Sequence, residues 1–245
     1  MRNFDELSYE FFKWRQNVNN LNRYYDKTLL LDLLYDKAKL FEYDVRQGQS
    51  FYRGRVFDLD DIVSTKEQYE EWVSKGGAFQ GYNKKESGAP PAKYASEGRL
   101  NGKGISFLYT CSDVKTVIHE LRPTRDEILS VAEFVVQKNL VFADLTEAKA
   151  AKIKIKNHRL ADLLMLIAEE FSVPHYAGHN YAFTQYLAGH LMNLDFDGVI
   201  FRSSLNPDGE NFVFFYPEDC EAMNSQLYRA GKITIPFINI TRAEL

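Results

Sequence analysis

The sequence predicts an α+β fold: a mostly antiparallel or mixed sheet with flanking helices and a helical extension at the N-terminus. Three observations lead there. Short β-branched or aromatic runs (SFYRGRV, ISFLYT, EILSVAEFVVQK, LVFADLT, DGVIFRSS, NFVFFYP) outnumber clean strand–helix–strand alternations, which argues against a doubly wound fold. Helical periodicity is gathered into residues 4 to about 44 and two later segments, RLADLLMLIAEEF and NYAFTQYLAGHLMNL. No repeat, low-complexity segment or linker divides the 245 residues, so the expected division is an extension over 1–46 and a sheet domain over 47–245.

Within the extension, Leu29, Leu30, Leu33, Leu34, Ala38, Leu40 and Phe41 recur near a 3.6 period, after an earlier apolar cluster of Phe11, Phe12 and Trp14. Together they predict a helical hairpin. Gln47-Gly48-Gln49 breaks the pattern before SFYRGRV, a strand with Phe51, Arg53 and Arg55 on one face and Tyr52 and Val56 on the other. Residues 58–75 read as loop then helix, and 76–98 are too rich in Gly, Pro and Lys to be either element. ISFLYT is the next strand. Ser112 or Asp113 caps the helix DVKTVIHEL, whose Val114, Val117, Ile118 and Leu121 form an apolar stripe and which Pro123 follows. Two strands, EILSVAEFVVQK and LVFADLT, precede the late helices. DGVIFRSS and NFVFFYP then flank the turn LNPDGE, and the β-branched run KITIPFINI lies near the end.

Composition narrows the function classes. With 45% hydrophobic and 26% charged residues the chain is an ordinary globular one. It has no run near the roughly 20 apolar residues of a membrane span, and it opens on the acidic-polar MRNFDELSYE, so a soluble cytoplasmic protein is expected. Cys111 and Cys220 have no metal-ligand spacing and make no disulfide framework. A net charge of -4 and a pI near 5.8 give no bulk drive toward nucleic acid.

Several constellations invite chemistry. GRLNGKG lacks the Ser or Thr that a phosphate-binding P-loop needs after its Gly-Lys, and it runs into a strand where a dinucleotide fingerprint would open a helix. What survives is a turn carrying Arg99 and Asn101 that could bring a guanidinium and backbone N–H groups to a diphosphate. His175 and His179, with His158 or Glu169, could be imagined as metal ligands, but HYAGH reads better as a loop and no metal is expected. Cys111 near His119 lacks a third group to orient a thiol nucleophile. Glu120 adjoins the apolar stripe of its helix; it either pairs with Arg122 or Arg125 at the surface or faces a cleft lined by Tyr109, Arg53 and Arg99.

FYRGR, APPAKYASEGRLNGKGISFLYTCSDVKTVIHELRP, NYAFTQYL and DFDGVIFRSSLNPDGENFVFF, in this order over about residues 50–217, resemble the RES domain family. The resemblance implies a fold related to the ADP-ribosyltransferase toxins. It also implies destruction of NAD+ by hydrolysis or phosphorolysis of the nicotinamide–ribose bond, with NAD+ as substrate and no cofactor. It further implies pairing with an Xre-type antitoxin. Residue by residue it assigns the family's arginines to Arg53 and Arg99, its strand aromatic to Tyr109, its glutamate to Glu120, its serine to Ser203 and its later asparagine to Asn211.

On that assignment Glu120 steadies an oxocarbenium-like ribose, and Arg53 and Arg99 hold the pyrophosphate. Tyr109, with Tyr52 as a second candidate, stacks on nicotinamide, while Ser203 and Asn211 bond ribose or phosphate oxygens. Arg55 and Ser204 stand close enough to share the roles of Arg53 and Ser203. Leu100 departs from the family's usual aromatic, and the loop 76–97 is expected to act as a lid. Transfer of ADP-ribose to a macromolecule and a non-enzymatic interaction module are the alternative readings. The apolar N-terminal helices need a cover: the RES core, a second copy in a homo-oligomer, or the antitoxin. No direct nucleic-acid or membrane partner is expected.

Overall fold

In a computed structural model, residues 2–21, 28–58, 60, 63, 65–75, 81–173 and 180–231 are described; HYAGH at 175–179 and the run KITIPFINI lie outside them. The fold is α+β, as the strand-rich pattern predicts. Eight strands form one sheet: β1 (Glu42–Val45), β2 (Ser50–Val56), β3 (Leu108–Cys111), β4 (Ile128–Val136), β5 (Leu140–Asp144), β6 (Gly198–Arg202), β7 (Glu210–Phe214) and β8 (Cys220–Arg229), in spatial order β1-β5-β6-β7-β3-β2-β4-β8. Neighbours run antiparallel except β5 and β6, whose parallel register needs the long helical crossover between them.

The junction between β2 and β3 divides the sheet into two arms. The pair in register there is Tyr52 opposite Cys111, whereas β2 and β4 pair along the whole of β2. Helix α5 (Val114–Leu121) follows β3 directly and lies across this seam. Val117 is buried and packs with Cys111 and Val131, and Val114, Leu121 and Tyr52 close around them. Gly54 makes the approach possible, because a Cβ there would collide with Val117 Cγ1.

Over the β1-to-β3 arm lies a helical layer of α1 (Arg2–Gln16), α2 (Leu29–Asp36), α6 (Glu147–Ile153), α7 (His158–Ser172) and α8 (Ala182–Asn193). Leu7, Phe11, Trp14 and Val18 recur on one face of α1 and its π-helical continuation Asn17–Leu21, and they share one core with Leu163, Leu164 and Ile167 of α7 and Phe183 and Leu187 of α8. The sheet domain itself therefore covers the N-terminal helices. On α2 the buried residues are Leu30, Leu31 and Leu34, while Leu29 is exposed.

Three expectations need correction. The helical reading to residue 44 overruns: Ala38–Phe41 is a single 3-10 turn, and Glu42–Val45 is an edge strand whose Val45 is buried against the far face of the sheet while Tyr43 and Asp44 stay exposed. A four-residue strand is too short to disturb a helical pattern. ISFLYT contributes only from Leu108, because Ile105 is exposed and Ser106 Oγ donates to Pro90 O, which keeps 105–107 in the preceding turn. After α3 (Lys66–Ser74), the helix expected within 58–75, Lys84–Ser87 forms the short helix α4 within the 76–98 loop, started by a capping box between Asn83 and Glu86.

Candidate active site

A cavity of about 360 Å³ opens at the seam, with Tyr52, Arg53 and Gly54 on the β2 side and Tyr109, Thr110 and Cys111 on the β3 side. Glu120 enters from α5. Asp113 starts that helix by accepting from the Thr116 N–H at 2.8 Å, and Arg122 ends it in the left-handed region at φ 48°.

The carboxylate of Glu120 is held, not paired with a surface arginine. Ser203 Oγ donates to its Oε1 at 2.7 Å, and Asn211 Nδ2 donates to the same oxygen at 2.9 Å. Ser203, 2% exposed, has no hydrogen left to give, and its oxygen accepts the Leu205 and Asn206 N–H groups at 3.1 and 3.0 Å. Asn211 Oδ1 in turn accepts from the Cys111 thiol at 3.3 Å. Both residues thus orient Glu120; Ser203 is buried behind the cleft wall and is spent on that bond, where the sequence reading expected it to meet a sugar or phosphate, whereas Asn211 also lines the cleft and keeps a second Nδ2 hydrogen. Ser204 is the serine that lines the cleft. The turn that carries both serines is fastened to α5 through Asn206 Nδ2, which donates to Thr116 Oγ1 at 2.8 Å.

Arg99 reaches the cleft from the turn after residue 97. Its guanidinium donates to Glu170 O at 3.3 Å and to Val173 O at 2.6 Å, at the C-terminal end of α7, and lies within 6 Å of the rings of Tyr181 and Phe201. Burial lowers its pKa, partly offset by Tyr181, Glu120 and Tyr109. Part of the turn's own hydrogen bonding is spent internally. Asn101, 4% exposed, donates to Ser96 O, Gly102 O and Ile105 O, and the Leu100 N–H goes to Tyr109 Oη. Tyr109 also donates to Asn101 Oδ1 at 2.7 Å, so its hydroxyl locks the turn to β3 and only its ring borders the cleft. Leu100, where the family places an aromatic, is buried in the helical core, away from the cavity.

Arg53 lines the cleft, but its Nη1 donates to Ser87 O and Gly88 O, the second at 2.8 Å. Burial, with Arg55 beside it, lowers its pKa to about 10, which leaves it a cation at neutral pH. Arg55 lies apart, donating to Glu86 O and lying against the Tyr82 ring. Within 81–97, Tyr82, Ser87 and Ala95 are buried and Arg53 ties the segment to the sheet at Ser87 and Gly88, so the expected lid is anchored at these points, while residues 91–94 stay exposed.

Cys111 and His119 do not form a nucleophilic pair. Burial pushes the Cys111 thiol up, and His119 Nδ1 meets Lys115 O. Groups of three or more His, Cys, Asp or Glu able to hold a metal are absent among the described residues. None of the described helices is long and apolar enough to cross a membrane.

Sequence reasoning gave no role to Thr184 and Gln185. Thr184 Oγ1 donates to Arg99 O, and Gln185 Nε2 donates to Gly98 O and Asn101 O at 3.0 and 3.1 Å, so NYAFTQYL grips the arginine turn. The signal available was the co-occurrence of the two segments.

A family model described as RES domain matches residues 72–235, about two thirds of the chain. No curated protein sequence matches it. Among solved structures, a chain of the M. tuberculosis MbcT–MbcA toxin–antitoxin complex is similar at 12% identity and a TM-score of 0.46, over 83% of this chain and 93% of that one.

Proposed function

The chain belongs to the RES domain family, and from that premise we propose that it consumes NAD+ by cleaving the nicotinamide–ribose bond, as a toxin that an Xre-type antitoxin neutralises. One observation carries the reading: a carboxylate fixed through one oxygen by two donors, at the seam of a sheet, with a buried guanidinium on either side. Such a site is complementary to a zwitterion. NAD+ has a cationic nicotinamide ring on its ribose and two negative charges on its pyrophosphate.

With Oε1 occupied, Glu120 presents Oε2 to the cavity. As the C1′–N bond breaks, its electron pair leaves with neutral nicotinamide, and positive charge spreads over C1′ and the ring oxygen. A fixed carboxylate stabilises that charge without reorganising. Ser203 and Asn211 act as positioning residues that keep the carboxylate from turning toward either arginine. Arg99, held between two rings with most of its five N–H donors uncommitted, takes pyrophosphate oxygens; Arg53 adds charge from the opposite strand. The rings of Tyr109 and Tyr52 border the nicotinamide position. Water or phosphate then attacks C1′, giving ADP-ribose and a proton in one case and a phosphorylated ADP-ribose in the other.

The test is nicotinamide release by purified protein, with and without phosphate. We expect turnover, and a loss of roughly 10³-fold in Glu120→Gln, whose Oε1 still accepts from Ser203 and Asn211 while its charge is gone. Release only with phosphate identifies a phosphorylase, and release without it a glycohydrolase. ADP-ribose left covalently on a macromolecule would identify a transferase. No release under any of these conditions sinks the reading.

A further inference from the structure

The helix α1 lies outside the family match, yet it touches both elements that hold Arg99. The backbone of the Arg99 turn is gripped by Thr184 and Gln185 of α8, and its guanidinium by the Glu170 and Val173 carbonyls at the end of α7. From α1, Arg15 Nη1 donates to Glu170 Oε1 at 2.6 Å, on the same residue whose carbonyl receives Arg99. Beside it on the same helix, Trp14 meets Phe183 of α8 edge-on at 5.0 Å and Tyr186 at 6.1 Å.

We infer that Arg15 is a positioning residue for the substrate-binding arginine: its pair with Glu170 fixes the C-terminal turn of α7, and thereby the guanidinium of Arg99. Two further features support this. The Arg15–Glu170 pair is mostly withdrawn from water on the carboxylate side, with side-chain exposures of 38% and 16%, so solvent screens it less than an ordinary surface pair. Arg15 Nε is buried with no hydrogen-bond partner among the described residues, which leaves Glu170 as the anchor of that cation. The same two helices share a second ion pair, Arg159 with Glu10 at 2.9 Å, nearer the other end of α7 and more exposed. That pair joins α1 to α7 without touching the turn that holds Arg99, and serves as an internal control.

The inference rests on the reading of Arg99 as a substrate ligand, and the test separates the two. In full-length protein labelled with ¹⁵N-arginine, the Arg99 Nε–H signal, identified by its loss in Arg99→Lys, is compared among wild type, Arg15→Gln, Arg15→Lys and Glu10→Gln. We expect Arg15→Gln to shift or broaden that signal, Arg15→Lys to restore it substantially, and Glu10→Gln to leave it in place. With NAD+ as the probe, Arg15→Gln should raise KM on the order of tenfold with kcat within about twofold, since misplacing a binding group by a fraction of an ångström acts on that scale. Should Arg15→Gln fail to fold, Glu170→Gln removes the charge but keeps the α7 carbonyls, and a roughly threefold rise in KM is expected with the same displaced signal. A folded Arg15→Gln or Glu170→Gln protein with an unchanged Arg99 signal overturns the inference. If wild type releases no nicotinamide, the functional reading falls, and the Arg99 signal alone still decides the role of Arg15.

Discussion

On the β1-β5-β6-β7-β3 arm of the sheet, five helices bury one continuous core that runs from Leu7 and Trp14 on α1 to Val199 and Val213 on the strands. On the β2-β4-β8 arm the same face carries α5 and a small buried cluster in which Val117 of α5 and Val131 of β4 meet Cys111 of the adjoining β3. The difference falls along the cleft. Ser203 and Asn211, the donors to Glu120, stand on the deep arm with Arg99, while the helix that bears Glu120 rests largely on the shallow one. The hydrogen bonds of Glu120 thus reach across the seam, beside the bond from Asn206 to Thr116.

The largest effect is expected where the deep arm loses its hold on the carboxylate. Ser203→Ala takes away one donor to Glu120 and leaves the Leu205 and Asn206 N–H groups without their acceptor. We expect kcat to fall roughly 100-fold and stability to fall by about 1–3 kcal/mol. Ser204→Ala, which removes a hydroxyl from the cleft wall and no internal bond among those of the site, should raise KM a few-fold and leave stability within about 0.5 kcal/mol. Steady-state kinetics and denaturant titration on both variants check this; equal losses in the two would show that Ser203 does not hold Glu120.

The two arms also differ in how they receive a methyl group at a glycine. Gly54→Ala puts a Cβ into Val117 Cγ1 and within 2.8 Å of Leu121 Cδ1, so α5 must lift from the seam. The expected cost is about 1–3 kcal/mol, with a parallel loss of activity as Glu120 moves off its donors. Gly189 lies inside α8 with open space around the position of a Cβ, and Gly189→Ala should stabilise by about 0.4–1 kcal/mol. Urea unfolding midpoints measure both. A Gly54→Ala protein as stable as wild type would mean that the shallow arm yields freely.

How much of this was legible in the sequence differs by level. Periodicity located many of the helices and strands, because their amphipathic faces pack on one side or the other of the sheet; it overran at Glu42–Val45, where four residues carry too little pattern to announce a strand, and it missed α6 and β8. The resemblance placed Glu120, Arg53, Arg99, Tyr109, Ser203 and Asn211 in one neighbourhood, and the structure brings them, with Tyr52, to one seam. What single residues could not reveal is which atoms each group spends internally. The hydroxyl of Ser203 and the amide of Asn211 both read as ligand donors by type, yet each bonds a carboxylate contributed by another stretch of chain. Choosing between Ser203 and Ser204, or Arg53 and Arg55, likewise needs the direction of a side chain, which residue type does not carry.

The smallest expected effect concerns the start of α5. Asp113 Oδ1 accepts the Thr116 N–H, and its Oδ2 accepts the hydroxyls of Thr116 and Ser112 at 2.7 and 2.8 Å, so the cap also fixes the residue that receives Asn206 from the serine turn. Burial pushes this carboxyl up, but the Thr116 hydroxyl and N–H, with the Ser112 hydroxyl and the Lys115 N–H, outweigh it and hold the pKa below its usual 3.8. The native state therefore releases this proton more readily than the unfolded chain does. Its stabilisation is present above pH 3.8 and is lost as the pH falls through the lower native value. An asparagine in place of this aspartate keeps one acceptor for the Thr116 N–H and loses the charge, so Asp113→Asn should lower Tm slightly at neutral pH and flatten the decline in Tm from about pH 5 to about pH 3. Thermal melts across that range check it. A variant curve parallel to that of wild type would show that the acid sensitivity of the seam arises elsewhere, and that the cap holds α5 by geometry alone.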